Sequence, residues 1–460
     1  MSDAAAPAGE PAPASERAPA DETAIIAAIA AASAAREPIL LCGNGTKFGM
    51  LRPVQAARCL TTTNLTGITL YSPKELIISA RAGTPLPEIE AALAENGQHL
   101  IAEPPDLTTL LGGAGATANA SPQTIGDAQA KNGPPPNAGP QITSVPRANA
   151  GPKPTEVPRV NAGAQTIGGI VASNLSGPRR VAWGAMRDHV MGVRAVNGSG
   201  ELIHSGGRVL KNVTGLDLCK LLTGSHGTLA VITEVTLKVL PAPESTGTLV
   251  LPGLDAPRGV AALSAGLGSP FGVSAAAWLP DASLVPALGR ARGSATLLRI
   301  EDFSPSVAYR TACLRAELAS FADAEILDDT TSRTVWRAVG NALPLPALPS
   351  AAIWRVSVRP SAGPAVLRAV ADAGVQGFLD WGGGLVWLAG PADTNTHSVV
   401  EQAARAAHGT WTLLRAPDAL RVAVDVVPPE AEPLARITRR VKATFDPRGI
   451  LNPGRLYAGL

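Results

Sequence analysis

At 460 residues the chain is long enough for two or three domains, each burying its own core. A formal charge of +2 with mixed signs leaves no basic stripe for nucleic acid, and the four cysteines, at 42, 59, 219 and 313, have no zinc or iron–sulfur spacing. With no apolar run of the roughly 20 residues that cross a bilayer, and a start lacking the charged-then-apolar order of a secretory signal, the expectation is a cytoplasmic protein that meets the inner membrane only through partners.

Residues 1–22, rich in alanine and proline, read as a disordered tail. Thr23 to Ala35 reads as a helix with Ile25, Ile26 and Ile29 on one face. A buried strand, Ile39 to Cys42, runs into the loop GNGTKFG. Short strands follow at Ile68 to Tyr71 and at LIISARAG, and Pro85 or Pro87 opens a helix that Gly97 closes.

A tract from about 119 to 163 reads as a flexible insertion. It repeats with a period of twelve, with NAG beginning at 137, 149 and 161, and is too rich in Pro, Gly and Asn to offset the cost of ordering. Beyond it come a helix or turn at TIGGIVASN, a hairpin of MGVRAVN and GELIHSGG joined through NGSG, the helix LDLCKLLTG and the strand LAVITEVTLKVLP. From about Glu244 to Ala435, strands such as GTLVLPG, SATLLRI, AIWRVSVR and GLVWLAG alternate with alanine-rich helices, which predicts a second α+β domain. The closing FDPRGILNPGRLYAGL has turn signals and no helical period, as a return loop would.

Two glycine loops are candidate ligand sites. In Gly43-Asn44-Gly45-Thr46-Lys47, glycines at 43 and 45 allow positive φ and successive outward N–H groups, a nest suited to phosphate, with a hydroxyl and a cation beside it. It is not a dinucleotide fingerprint of the Rossmann type, because the third glycine stands at 49 instead of 48, and a plain strand-ending turn explains the same residues. In the second loop, Gly168 and Gly169 permit close approach of backbone to ligand, and Asn174, Ser176 and Gly177 offer short polar groups; a glycine-rich helix entry is the plainer reading. Arg179, Arg180 and Arg187 form one cationic cluster that could neutralise a pyrophosphate or hold a carboxylate, although for any single one a solvated ion-pair face is the plainer reading. Of six histidines only His226, in GSHGTLA, falls in a candidate ligand loop, and none has metal-ligand spacing. A metal site is therefore not expected.

Taken in order, the blocks GNGTK, YSPKELIISARAGTPLPEIEAALAENGQHLIAEPP, TIGGIVASNLSGPRR, GAMRDHVMGV, GGRVLKNVTGLDL, LLTGSHGTLAVITEVTLKVLP and FDPRGILNPGRLY resemble the FAD-binding domain of the vanillyl-alcohol oxidase and p-cresol methylhydroxylase family. Within that family they are most similar to FAD-binding subunits of bacterial glycolate-oxidising complexes. The resemblance implies an α+β fold: a two-subdomain FAD-binding domain of p-cresol methylhydroxylase type over 23–243, a smaller α+β cap over 244–435, and a C-terminal return segment, 436–460, packed towards the flavin. It implies FAD contacts at Gly43, Asn44, Gly45, Thr46 and Lys47, then at Thr166, Gly168, Gly169, Ser176 and Gly177, then at Gly227, Thr228 and Ile232.

The chain departs from the family in three places. Asn44 replaces a usual glycine, tolerable if asparagine adopts left-handed geometry there; the Pro-rich tract interrupts the domain; and Leu216 replaces a usual tyrosine. Single-chain relatives that oxidise D-2-hydroxy acids carry a histidine-rich metal site, which this sequence lacks. The resemblance therefore implies a complex in which a larger flavoprotein subunit holds the hydroxy-acid site and an iron–sulfur subunit takes the electrons, with glycolate as substrate. Two alternatives stay open: a stand-alone 2-hydroxy-acid dehydrogenase using His226 with Arg448 or Arg455, and a scaffold that has lost its cofactor.

Overall fold

The computed structural model describes residues 18–56, 58–111, 163–207, 215–289, 293–346 and 348–460. Most of the Pro-rich tract, the start of the tail and part of the GGRVLKNVTG block lie outside the described residues.

Helix α1 (Glu22–Ala35) begins where the Asp21 side chain accepts from Ala24 N at 2.8 Å, an N-cap of the usual kind. Its Ile25 and Ile29 are fully buried in a small core with Ile39, Leu60, Val196, Val231, Ile450 and Leu451. Strand β1 (Ile39–Cys42) pairs in parallel with β2 (Arg58–Thr61), a strand not expected from the sequence. It is also bridged by the C-terminal segment: Ile39 N donates to Ile450 O at 2.7 Å and Asn452 N to Ile39 O at 3.0 Å. The last residues of the chain thus fold back onto the strand that precedes the first glycine loop.

The second sheet of the N-terminal half is antiparallel. Its central path joins β3 (Ile68–Ser72), β4 (Ile77–Arg81), β8 (Ala230–Pro241), β6 (Val190–Asn197) and β7 (Leu202–Gly206), and β5 (Gln98–Leu100) pairs with the far end of β8. Helix α2 (Leu86–Ala94) packs its Leu86, Ile89 and Leu93 into this core. Helix α3 (Ile167–Ser173) lies beside it, capped by Thr166 at its start and by left-handed Asn174 at its end. The β6–β7 hairpin turns through NGSG as expected from those residues, with Gly200 at φ 79°.

The remaining strands form one eight-stranded antiparallel sheet: β9 (Ser245–Pro252), β10 (Val273–Leu279), β11 (Ala295–Asp302), β12 (Glu325–Leu327), β13 (Ala352–Ser357), β14 (Gln376–Asp380), β15 (Leu385–Gly390) and β16 (Thr410–Arg415), in the order β12-β9-β11-β10-β14-β15-β13-β16. Helices cover it, and its core is continuous with that of the first antiparallel sheet. The fold is α+β, as the sequence implied.

Candidate functional site

The loop after β1 and the flank of α3 form a narrow cleft of about 80 Å³. It is lined by Gly43 to Phe48, Thr166, Gly169, Ala172, Ser173 and His226, and by Asn452 and Arg455 from the returning C-terminus. Among the described residues, the backbone N–H groups of Gly43 to Lys47 donate to no protein acceptor. Such a run of orphan donors is costly unless water or an anion accepts from it.

The glycines act differently from the sequence-based expectation. Gly45 does adopt positive φ, 71°, but Gly43 and Asn44 do not. Gly43 is required by crowding, because a Cβ there would strike the Thr166 hydroxyl, and this lets the loop close onto α3. Asn44 is accommodated by bonding and not by left-handed geometry: its Nδ2 donates to Ala164 O at 2.7 Å, tying the first loop to the second.

The charges of the cleft share one sign. Lys47 Nζ donates to Gln165 Oε1 at 3.2 Å, and burial lowers its pKa to about 8. The Arg455 guanidinium donates to Lys47 O at 2.8 Å and Arg52 O at 2.9 Å; burial, then the nearby Arg421 charge, lowers its pKa to about 10. His226 is pushed down to about 3 by burial, then by Arg455 and Lys47. Among the described residues no carboxylate lines the cleft, and the field of Asp106 only partly offsets the burial of Lys47. Neutral backbone carbonyls and amides satisfy these cations geometrically but leave their charge uncompensated, which is the electrostatic setting for a bound anion.

The structure brings Gly43, Asn44, Gly45, Thr46, Lys47, Thr166 and Gly169 together on this cleft. Gly168 instead packs on Ala82, where a Cβ would come within 2.6 Å of the Ala82 Cβ. Ser176 Oγ accepts from Met186 N at 2.8 Å, and Gly177 packs against the Glu103 backbone, both away from the cleft wall. Gly227 (φ 71°) abuts Asn452, Thr228 O accepts from Lys442 Nζ at 2.7 Å, and Ile232 is buried in β8. Their neighbour His226 is the residue of that block on the cleft. Asn452 is a positioning residue: its Nδ2 donates to His226 O and its Oδ1 accepts from Leu41 N, both at 2.8 Å. Sequence reasoning overlooked it, although the Asn-Pro-Gly turn that carries it was visible. Arg448 is exposed and lies off the cleft.

The arginine cluster separates in space. Arg179 is clamped by Glu301, with Nη2 to Oε1 at 2.6 Å, and its backbone N–H donates to Glu103 at 3.1 Å. Buried Arg299 binds Glu103 at 2.8 and 2.9 Å. This network joins the two halves of the molecule between two larger hollows of about 570 and 620 Å³. Arg187 and Asp188 do not pair with each other: Asp188 accepts from Ala185 N at 2.8 Å, and Arg187 N donates to Asn174 Oδ1 at 3.0 Å. The Cys42 and Cys59 sulfurs lie 3.2 Å apart in hydrogen-bonding contact, with no disulfide between them. Among the described residues, no group of three or more His, Cys, Asp or Glu could hold a metal ion.

An FAD-binding domain family matches residues 13–127 and 157–206. The fold is shared with 4-ethylphenol oxidase from Gulosibacter chungangensis, at a TM-score of 0.63 and 11% identity over 96% of this chain and 88% of that one. Alkyldihydroxyacetonephosphate synthase gives a TM-score of 0.60 at 15% identity over 95% and 75%. The chain is thus an FAD-binding flavoprotein with the p-cresol methylhydroxylase type of fold, similar to FAD-linked oxidoreductases. Along nearly its whole length it is similar to glycolate oxidase subunit GlcE of Escherichia coli (strain K12), 29% identical over 92% of this chain and 94% of that protein. A shorter stretch of 85 residues, 18% of each chain, is 42% identical to glycolate oxidase subunit GlcD of Bacillus subtilis (strain 168).

Proposed function

We propose that this chain is the FAD-holding E-type subunit of a complex that oxidises glycolate to glyoxylate, working with a larger flavoprotein subunit and an iron–sulfur subunit that carries electrons away. The observation that supports it most is the cleft of five orphan backbone N–H groups beside Lys47 and Arg455 with no carboxylate on its wall. These groups suit a pyrophosphate, and they pass the test that a dinucleotide cofactor sets. In this reading Gly43 to Lys47, Thr166 and Gly169 hold the phosphates directly. Gly168, Ser176, Gly177, Gly227, Thr228 and Ile232 contribute by shaping the backbone around them. When bound, the isoalloxazine supplies the two-electron chemistry.

What the chain itself does is bind and orient. Lys47 and Arg455 neutralise the phosphates, while Asn452 fixes the His226 loop against β1. His226, neutral through the physiological range with a pKa near 3, is a weak proton acceptor, which favours a complex over a stand-alone dehydrogenase built on this histidine. We assign residues 23–243 to the FAD-binding domain, 244–435 to the cap and 436–460 to the return segment. Among the described residues no helix is long and apolar enough to cross a membrane, and we place the chain in the cytoplasm, reaching the inner membrane through its partners.

The test is the visible spectrum of the purified chain, followed by glycolate without oxygen. Flavin bands that persist until the partner subunits are added are expected. Bleaching by the chain alone would replace the complex with a stand-alone enzyme, and a chain that takes up no FAD would leave only a scaffold.

A further inference from the structure

The exit of the first glycine loop is held from the other end of the chain. Past Lys47 the backbone runs through tight turns, with Phe48 N donating to Gly45 O at 3.2 Å and Met50 N to Lys47 O at 3.1 Å. Buried Leu51 then takes a left-handed φ of 56°, which a bulky side chain rarely adopts unless its surroundings hold it there. Along this course the carbonyls of Phe48, Met50 and Leu51 converge on a single donor. That donor is Nη1 of Arg421, at 3.2, 3.3 and 2.7 Å.

Arg421 belongs to the short helix Asp418–Ala423, which follows β16 of the eight-stranded sheet. The residue is buried: its Nη2 donates to Asp418 Oδ1, and its Nε finds no partner among the described residues, so the loop carbonyls and Asp418 set where the guanidinium lies. The contact is reciprocal. Arg52, next after Leu51, donates through Nη1 to Arg421 O at 3.1 Å and through Nη2 to Val422 O at 3.0 Å. These carbonyls close the helix, where intrahelical donors run out and a cation is favoured. The backbone adds one tie, Leu51 N to Leu414 O at 3.3 Å. Arg421 does not line the cleft, but its charge reaches Arg455, which does.

We propose that Arg421 and Arg52 are positioning residues for the cofactor: their crossed contacts lock the exit of the glycine loop and so fix the direction of the N–H groups of Gly43 to Lys47. A cradle of backbone donors binds an anion well only when the donors already converge, because otherwise binding must meet the cost of ordering the loop. The left-handed turn at Leu51 is the point where that order is hardest to keep, and its carbonyl receives the shortest of the three Arg421 bonds. The helix after β16 is thereby part of the phosphate site without contributing a side chain to the cleft wall. The lock rests on this geometry alone; that the locked loop serves FAD rests on the reading proposed above.

The experiment makes two measurements on the full chain. Amide hydrogen exchange on the chain freed of FAD reads the lock: the bonded amides of Phe48, Met50, Leu51 and Arg52 should exchange roughly tenfold faster or more in Arg421→Met. Equilibrium dialysis against FAD, per folded molecule, reads its consequence. Affinity should weaken roughly ten- to hundredfold in Arg421→Met and roughly three- to tenfold in Arg52→Met. Arg52→Met keeps the buried guanidinium and carries the test if Arg421→Met does not fold. In Arg421→Lys the loss should stay within roughly threefold, because one nitrogen makes all three loop bonds and an ammonium has three donors. Glu301→Gln, which weakens the fold elsewhere, should alter neither reading. The proposal is overturned if the methionine variants bind FAD as the parent does or keep these amides protected, or if Glu301→Gln loses as much affinity as they do. Faster loop exchange in the variants of a chain whose parent takes up no FAD would uphold the lock while removing the cofactor reading.

Discussion

Two buried charged regions of this molecule look alike in sequence and behave oppositely in space. In the network of Arg179, Arg299, Glu103 and Glu301, every cation meets a carboxylate within 3.2 Å, and the contacts join the N-terminal half to the eight-stranded sheet. In the glycine cleft, Lys47 and Arg455 are bonded by carbonyls, an amide and a hydroxyl and make no ion pair among the described residues, Asp106 acting on Lys47 only through its field. The first region is electrostatically complete and so can only hold the protein together. The second is complete only with an anion present, so stability and binding are separable properties here, each with its own charges.

The largest expected effect comes from breaking the completed network. Glu301→Gln should cost about 3–5 kcal/mol of unfolding free energy, read by chemical denaturation, because Arg179 and Arg299 are left short of a buried partner. FAD affinity per folded molecule should change little, and a large loss would mean that the two regions are not separable. The same network sets an acid limit. Burial works against the charged forms of Glu103 and Glu301, but the arginines override it and hold both carboxyls below their ordinary range. Their folded pKa values lie below the unfolded value of about 4.3, so this stabilisation is complete above that pH and is lost as pH falls further. Urea midpoints recorded from pH 6 to pH 3 should drop steeply for the parent chain and more shallowly for the glutamine variant.

The cleft should respond in the opposite way. Lys47→Met should weaken FAD binding by about 1.5–3 kcal/mol while unfolding stability holds or rises, since an uncompensated buried charge has been removed. Equilibrium dialysis against FAD beside a denaturation curve would decide it, and a stability loss exceeding the binding loss would assign Lys47 to the fold. A pH dependence of smaller size follows. The free chain's Lys47 pKa, about 8, lies below that of the phosphate-bound form, so affinity should fall as pH rises through 8 and flatten in Lys47→Met. Leu216→Tyr should have the smallest effect: the side chain is 83% exposed, so stability should move by no more than about 0.5 kcal/mol.

Much of this was legible in the sequence because it depends on neighbours in the chain. The strand Ile39–Cys42 leading into GNGTK, the Thr166 cap of TIGGIVAS, the NGSG hairpin and the long strand to Pro241 all follow local periodicity and turn chemistry. Strands β2, β5, β10, β12, β14 and β16 were not singled out, since segments in a continuous core lack the alternation that marks a half-buried strand.

What the amino-acid order determined by itself is the set of glycine turns, caps and strands, together with the family resemblance that their order carries. Which cations stay unpaired was decided only by the tertiary structure. Arg179 found Glu301, 122 positions away, whereas Arg455 came to rest on the carbonyl of Lys47, 408 positions away, with no acid beside it. Charge compensation depends on distances of a few ångströms between residues that folding brings together from distant parts of the chain, and no local pattern encodes those distances.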